Sequence, residues 1–330
     1  MPAVAAPLTT YTCALTDEQA AALERALRSG GFEFFEAPHT RLAARKNRLT
    51  VALYRSGKLV VQGRDTREFV EFVLEPLVLK EARLGYEAVH DPGHRDPRIG
   101  VDESGKGDFF GPLCIAGVYV NDHVLEAFEE AGIRDSKRIS SDRRVAELAR
   151  LIRRTPGCLH TVVAIGNPAY NRLYAEMGSV NRILAWGHAR VIENLLKQRA
   201  RMQPPPVRVI SDQFAANKAT VASALMRLGR QIELVQRHKA EADPAVAAAS
   251  ILARDEFVRR LATLGKQFGL ELPKGASARV DAVAREFVQR HGPDALEQVA
   301  KLHFRTAARA KGEPEPPRVP WRKRPAPPVE

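Results

Sequence analysis

The chain has 330 residues, 45% of them hydrophobic, enough for two domains or for one large domain with an appendage. Lys and Arg total 51 against 39 Asp and Glu, a formal charge of +12, so an anionic partner is expected, either nucleic acid or an anionic membrane. No apolar run approaches the roughly 18 residues of a membrane span, MPAVAAPLTTYT lacks the basic start and apolar core of a signal peptide, and a soluble, cytoplasmic protein is expected. Cys13, Cys114 and Cys158 are far apart, with no C-x-x-C pair, and read as reduced thiols. The nine histidines include no H-E-x-x-H, so His-ligated metal chemistry has little support.

In chain order, residues 1–85 read as a small α/β module. Thr16 and Gln19 predict a capping box for a helix through Leu27, with Ala20, Leu23 and Leu27 on one face. Three strands are predicted at 32–36, 49–55 and 58–63, then a closing helix from Glu68 to Lys80. Between Glu36 and Asp65 there is no carboxylate, while Arg41, Arg45, Lys46, Arg48, Arg55, Lys58 and Arg64 supply seven positive charges. Such a run reads as a basic face for a phosphate backbone, or as a solvated surface. Residues 86–98, polar and turn-rich, read as an interdomain linker.

A second domain is predicted over 99–311. It opens with IGVDESGKGDFFGP, in which Asp102 and Glu103 leave a short apolar run for a loop holding Gly105, Lys106 and Gly107. Neighbouring strand residues point to opposite faces, so both carboxylates reach one site only if the backbone turns there, and glycine permits the turn. Glycine also clears the way for a sugar-phosphate backbone, and Lys106 adds charge beside it. The alternative is an acidic hairpin turn. Residues 113–120 predict a nearly continuous apolar strand. Helices follow near 124–131 and over 142–154, the second capped by Ser140 or Ser141. Asp135, Ser136, Lys137 and Arg138 form a polar turn before that cap.

A strand at 159–166 leads into NPAYNRLY and a helical stretch. Asn167, Asn171 and Asn181 there could follow a sugar-phosphate edge or cap helices. His188 reads as a packed or solvent-facing helical histidine rather than a ligand. Strands at 207–212 and 231–236 end near Asp212 and run toward Glu241 and Asp243, placing carboxylates at a sheet edge where open α/β sheets hold their sites. A long helix follows from Pro244, on which Asp255 and Glu256 read as exposed partners of Arg259 and Arg260. LPKGAS (272–277) is a loop, two further helices reach about 311, and the Pro-rich basic tail at 312–330 is not expected to pack.

Asp102, Glu103, Asp212 and Glu241 are thus four acids at the ends of neighbouring elements. Such a set suits Mg2+ or Mn2+, and two such ions about 3.5 to 4 Å apart can activate water and stabilise a leaving oxygen in phosphodiester hydrolysis. The strings DESGKGDFFGP, RDSKRIS, NPAYNRLY, ISDQF, HKAEADPAVAAASILAR and LPKGAS, in this order over most of 98–310, resemble the type 2 ribonuclease H family, and within it the HIII branch. The resemblance implies an RNase H-like fold with a mixed central sheet. It also implies endonucleolytic cleavage of the RNA strand of an RNA–DNA hybrid, leaving 5′-phosphate and 3′-hydroxyl ends. The family's metal-site acids map onto Asp102, Glu103, Asp212 and Glu241, with Asp243 as a substitute if the register slips.

Substrate contacts map onto Ser104, Gly105, Lys106 and Gly107, onto Ser136 and Lys137, and onto Asn167, Asn171 and Asn181. Residues 1–85 resemble the family's N-terminal extension, similar to the TATA-box-binding-protein fold and thought to grip the hybrid; Arg45, Lys46 and Arg48 are its candidate contacts. The HIII branch rests on Lys106 between the glycines, where HII usually has arginine, and on Lys274, where HII typically has tyrosine. A monomer without a membrane partner is expected. The rival readings are HII-type incision at single embedded ribonucleotides and a hybrid-binding protein that does not cleave.

Overall fold

The structure, a computed structural model, describes residues 8–81, 95–133, 139, 141–212, 219–237 and 240–315. The chain divides into two compact units, Met1–His94 and Arg95–Glu330.

The first unit is a five-stranded antiparallel sheet covered by two helical segments. Its elements are β1 (Thr10–Ala14), α1 (Asp17–Ser29), β2 (Glu33–Phe34), β3 (Thr40–Lys46), β4 (Leu49–Tyr54), β5 (Lys58–Gly63) and α2 (Thr66–Phe69), in the sheet order β1-β5-β4-β3-β2. The predicted capping box is formed: Gln19 N donates to Thr16 Oγ1 at 3.3 Å and Thr16 N to Gln19 Oε1 at 3.0 Å. Ala20, Leu23 and Leu27 then pack on Leu49, Val51, Leu53, Leu59 and Val61 from alternate positions of the strands.

Two strands were not expected, β1 and β3. In β3 the cations Arg41, Arg45 and Lys46 hide an inward pair, Leu42 and Ala44, whose strand character shows only on pairing with β4. The predicted strand at 32–36 shrinks to Glu33–Phe34. The closing helix starts earlier than expected, at Thr66, and continues as a π-helix over Val70–Leu79, with Pro76 inside it.

The second unit is built on a mixed sheet. Strand β6 (Arg98–Ser104) is central, with β7 (Leu113–Val120) and then β8 (Leu159–Ile165) antiparallel on one side, and β9 (Arg208–Asp212) and β10 (Glu233–Arg237) parallel on the other. The helices are α3 (Asp122–Glu130), α4 (Asp142–Arg154), α5 (Asn167–Met177), α6 (Val180–Leu196), α7 (Ala219–Ala224), α8 (Pro244–Phe268), α9 (Ala278–His291) and α10 (Arg305–Lys311).

Alternation along β7 sorts the core. Cys114, Ala116, Val118 and Val120 pack with α8, while Leu113, Ile115 and Tyr119 pack with α6. Two glycines let the helices come close: a Cβ on Gly100 would sit 2.2 Å from the Ala245 carbonyl carbon, and one on Gly117 would sit 2.5 Å from Val191 Cγ1. Of the two expected caps of α4, Ser141 takes the N-cap position. Among the described residues no helix is long and apolar enough to cross a membrane.

Candidate active site

Asp102 and Glu103 lie on the central strand, paired with Ala116 and Ile115 of β7. The parallel pairing of Val101 with Ser211 brings Asp212, one residue further on, alongside Asp102. As pleating requires, the adjacent acids meet different helices: Ser250 of α8 hydrogen-bonds Asp102, and His188 of α6 meets Glu103.

His188 is fully buried, with Nε2 3.0 Å from Glu103 Oε2 and Nδ1 3.1 Å from Ser211 Oγ. A carboxylate only accepts, so His188 Nε2 carries the proton of that bond. Removal from water, then the charge of Glu103, pushes the Asp102 carboxyl up to about 7. Burial also pulls Glu103 upward, but the hydrogen bond and charge of His188, with the charge of Lys106, outweigh it and hold Glu103 below its ordinary value. Lys106 Nζ stands 3.9 Å from Glu103 Oε1.

Asp212 Oδ1 accepts the Ala240 N–H at 3.3 Å, tying β9 to the short turn that carries Glu241. Asp243 is committed elsewhere. It caps α8 by accepting the Ala245 N–H at 2.9 Å, and it pairs with the buried Arg98 at 2.8 Å and with Arg237 at 3.3 Å. The substitute role considered for it conflicts with those contacts. Among the described residues no three His, Cys, Asp or Glu side chains are already gathered into a metal-binding cluster. The acids are neighbours on the sheet and its following turn rather than a closed ligand set.

The loop after Glu103 has two different glycines. Gly105 has φ +94°, and a Cβ there would lie 2.3 Å from the Pro112 carbonyl oxygen, so the fold itself demands glycine. Gly107 is exposed, has open space where a Cβ would be, and needs no positive φ. Ser104 closes β6 opposite Cys114 and is half-buried.

The remaining candidates are dispersed. Asn167 is buried, and its Nδ2 donates to the Gly111 carbonyl at 2.9 Å. Asn171 donates to the Ala300 carbonyl and accepts the Leu302 N–H, both at 3.0 Å. Asn167 Nδ2 and both polar atoms of Asn171 are thus engaged with main chain, while Asn167 Oδ1 is buried without a hydrogen-bond partner among the described residues. Asn181 is half-buried in the first turn of α6. Ser136 and Lys137 lie outside the described residues.

In the first unit Arg45 pairs with Glu33 at 2.9 Å, Lys46 donates to the Gly30 carbonyl at 2.6 Å, and Arg48 is exposed in the turn between β3 and β4. Arg41 pairs with Asp17, so the run of cations is partly engaged within its own unit. Asp255, expected to be exposed, is buried and pairs with Arg153 at 2.7 Å and Arg259 at 3.3 Å. Lys274 donates to Asp142 Oδ2 at 2.7 Å.

Ser211, Ser250 and the contact of His188 with Glu103 were not foreseen. The usable signal was chemical: a lone histidine inside ILAWGHARVI, and a lone hydroxyl inside PAVAAASILA, must each find a partner if buried.

The sequence model of the family described as Ribonuclease HII matches residues 99–307. The chain is 42% identical to the Ribonuclease HIII of Chlamydia pneumoniae over 299 residues, 90% of this chain and 96% of that one. It is 44% identical to the Ribonuclease HIII of Chlamydia muridarum over 285 residues, 86% and 91% of the two chains. Among solved structures, Bst-RNase HIII in complex with Mn2+ superposes with a TM-score of 0.62 at 29% identity, covering 92% of this chain and 98% of that one.

Proposed function

Because the chain belongs to the ribonuclease HII family, on its HIII branch, and is therefore a ribonuclease H enzyme, we propose that it cuts the RNA strand of RNA–DNA hybrids internally, leaving 5′-phosphate and 3′-hydroxyl ends. The observation that carries this reading is the pair Asp102 and Glu103 on the central strand, with Asp102 and Asp212 each one residue beyond the last β6–β9 pair, Val101 with Ser211.

The donor set fits a hard divalent cation. It is all carboxylate oxygen, and burial together with the charge of Glu103 raises the Asp102 carboxyl to about 7, a cost that a cation would relieve. Asp102, Glu103, Asp212 and Glu241 would hold two Mg2+ or Mn2+ ions, which supply the charge that activates water and stabilises the leaving oxygen. A complex of Bst-RNase HIII with Mn2+ supports the choice of metal class.

The chain's own residues do the rest. Ser250 and His188 hold the two strand acids from opposite faces. Gly107, which the fold does not require to be glycine and whose N–H has no partner among the described residues, leaves room for a sugar-phosphate backbone; Ser104, Gly105 and Lys106 flank it. Contacts to 2′-hydroxyl groups from this loop would distinguish RNA from DNA. Residues 1–85 would grip the hybrid. On the sheet face away from their core stand Thr12, Arg45, Thr50, Tyr54, Lys58 and Gln62, all exposed.

The test is cleavage of two end-labelled duplexes in Mg2+ and, separately, in Mn2+: a full RNA–DNA hybrid, and DNA holding one ribonucleotide. Cutting of the hybrid alone, lost in Asp102→Asn, is expected. Efficient incision beside the single ribonucleotide would assign HII-type specificity, and no cutting of either would leave a binding protein.

A further inference from the structure

We propose that Lys301 is a positioning residue that holds the Gly105–Gly111 loop in its substrate-receiving shape and sets a buried positive charge behind it, toward a phosphodiester of the bound nucleic acid. The inference rests on the reading of that loop as the substrate contact and deepens it.

Three observations converge on Lys301. First, its side chain is fully buried, and its Nζ donates to the main-chain carbonyls of Asp108 at 2.9 Å and Gly111 at 2.6 Å. The Asp108 carboxylate is engaged elsewhere, accepting the Gly275 N–H at 2.6 Å. Second, the strand-like pairing around it clamps the same stretch: Lys301 N donates to the Phe109 carbonyl at 2.9 Å, and Gly111 N to the Val299 carbonyl at 2.8 Å. Third, Asn167 and Asn171 brace the clamp, one on Gly111 and the other on the segment 300–302.

A fully buried ammonium held by neutral carbonyls is costly; a methionine of similar volume would fill the space and remove the charge, at the expense of the donor to the Asp108 and Gly111 carbonyls. The fold therefore gains nothing from the charge as packing. A loop that approaches polyanions does gain, because a cation in a low-dielectric surround acts at longer range than one in water.

The groups facing Lys301 are Asp108 on the loop, Cys114 on β7, the Tyr170 ring on α5 at 5.7 Å and His303 two residues on. Behind Cys114 stand Glu256, Arg259 and Arg260 of α8. Burial draws the Lys301 ammonium down to about 7, against the opposing pull of Asp108 and Cys114. His303 falls to about 4, through burial and the charge of Lys301, and so stays neutral near pH 7. The charge on Lys301 is thus present below pH 7 and lost above it.

The test compares wild type with Lys301→Met, measuring KM and kcat on a full RNA–DNA hybrid at about pH 6 and about pH 8.5, with folding checked by thermal melting. At the lower pH, Lys301→Met is expected to raise KM about tenfold while kcat moves less. The KM of wild type is expected to rise toward the higher pH while that of Lys301→Met stays flat. A folded Lys301→Met with the KM of wild type at both pH values would overturn the proposal. Should the variant not fold, a KM of wild type that does not change between the two pH values would overturn it just as well. No hybrid cleavage or binding by wild type at either pH would instead remove the proposed function, and this inference with it.

Discussion

Among single residues, the two strand acids differ in what holds them. Glu103 depends on His188, whose other nitrogen meets Ser211 beside Asp212, so one imidazole touches the surroundings of two candidate ligands. Groups that orient metal ligands typically matter about 10- to 100-fold in metal affinity or activity. His188→Leu is therefore expected to lower Mn2+ affinity by about that factor, read by calorimetric titration, and His188→Gln, which keeps a donor, to recover part of it. Unchanged Mn2+ affinity in folded His188→Leu would reduce the histidine to packing. The loop glycines separate in the same way. Gly105→Ala meets both a positive φ and the Pro112 carbonyl and should destabilise the fold, whereas Gly107→Ala enters open space and should spare the melting temperature while weakening hybrid binding.

Between elements, the placement of the acids follows from how α8 lies on β6. Small residues at Ala245, Ala247, Ala248 and Ala249 and the absent side chain of Gly100 let that helix lie close on the strand, which brings Ser250 to Asp102. Gly100→Ala is expected to push them apart at a cost of about 1–3 kcal/mol by urea denaturation. Asp243 locks the start of the same helix, as cap and as partner of buried Arg98. Removing it takes a carboxylate partner from the buried Arg98 guanidinium and the cap from α8, so Asp243→Ala should lower stability by about 3–5 kcal/mol. If denaturation of Asp243→Ala matches wild type, Asp243 is free for another task and its exclusion from the metal set fails.

Across the whole molecule, the two units have separate hydrophobic cores, so the second is expected to fold without the first. Deleting residues 1–85 should then leave metal-dependent cleavage while weakening hybrid affinity about tenfold or more. Equal affinity of the truncated and full chains would remove the gripping role. The charge of +12 adds a second expectation. Hybrid affinity should fall steeply with salt, with a log–log slope that becomes shallower on truncation in proportion to the number of phosphates the first unit neutralises. A slope unchanged by truncation would assign phosphate neutralisation to the second unit alone.

Read alone, the sequence was enough for the mixed α/β character of the second unit, the strand ends that carry Asp102, Glu103 and Asp212, the helix from Pro244, and the capping box at Thr16. These are local matters, since periodicity, capping and turn chemistry act over a few residues. The folded chain was needed to show that Asn167 and Asn171 serve main chain, that Asp243 is a cap and ion-pair partner, and that Glu103 leans on His188. Those facts depend on pairings between distant residues: Asn167 with Gly111 is 56 positions apart, His188 with Glu103 85, and Lys301 with Gly111 190. A buried polar side chain must find a partner, and the residue type says so; which partner it finds is fixed by how the sheet and its two covering helices close around it.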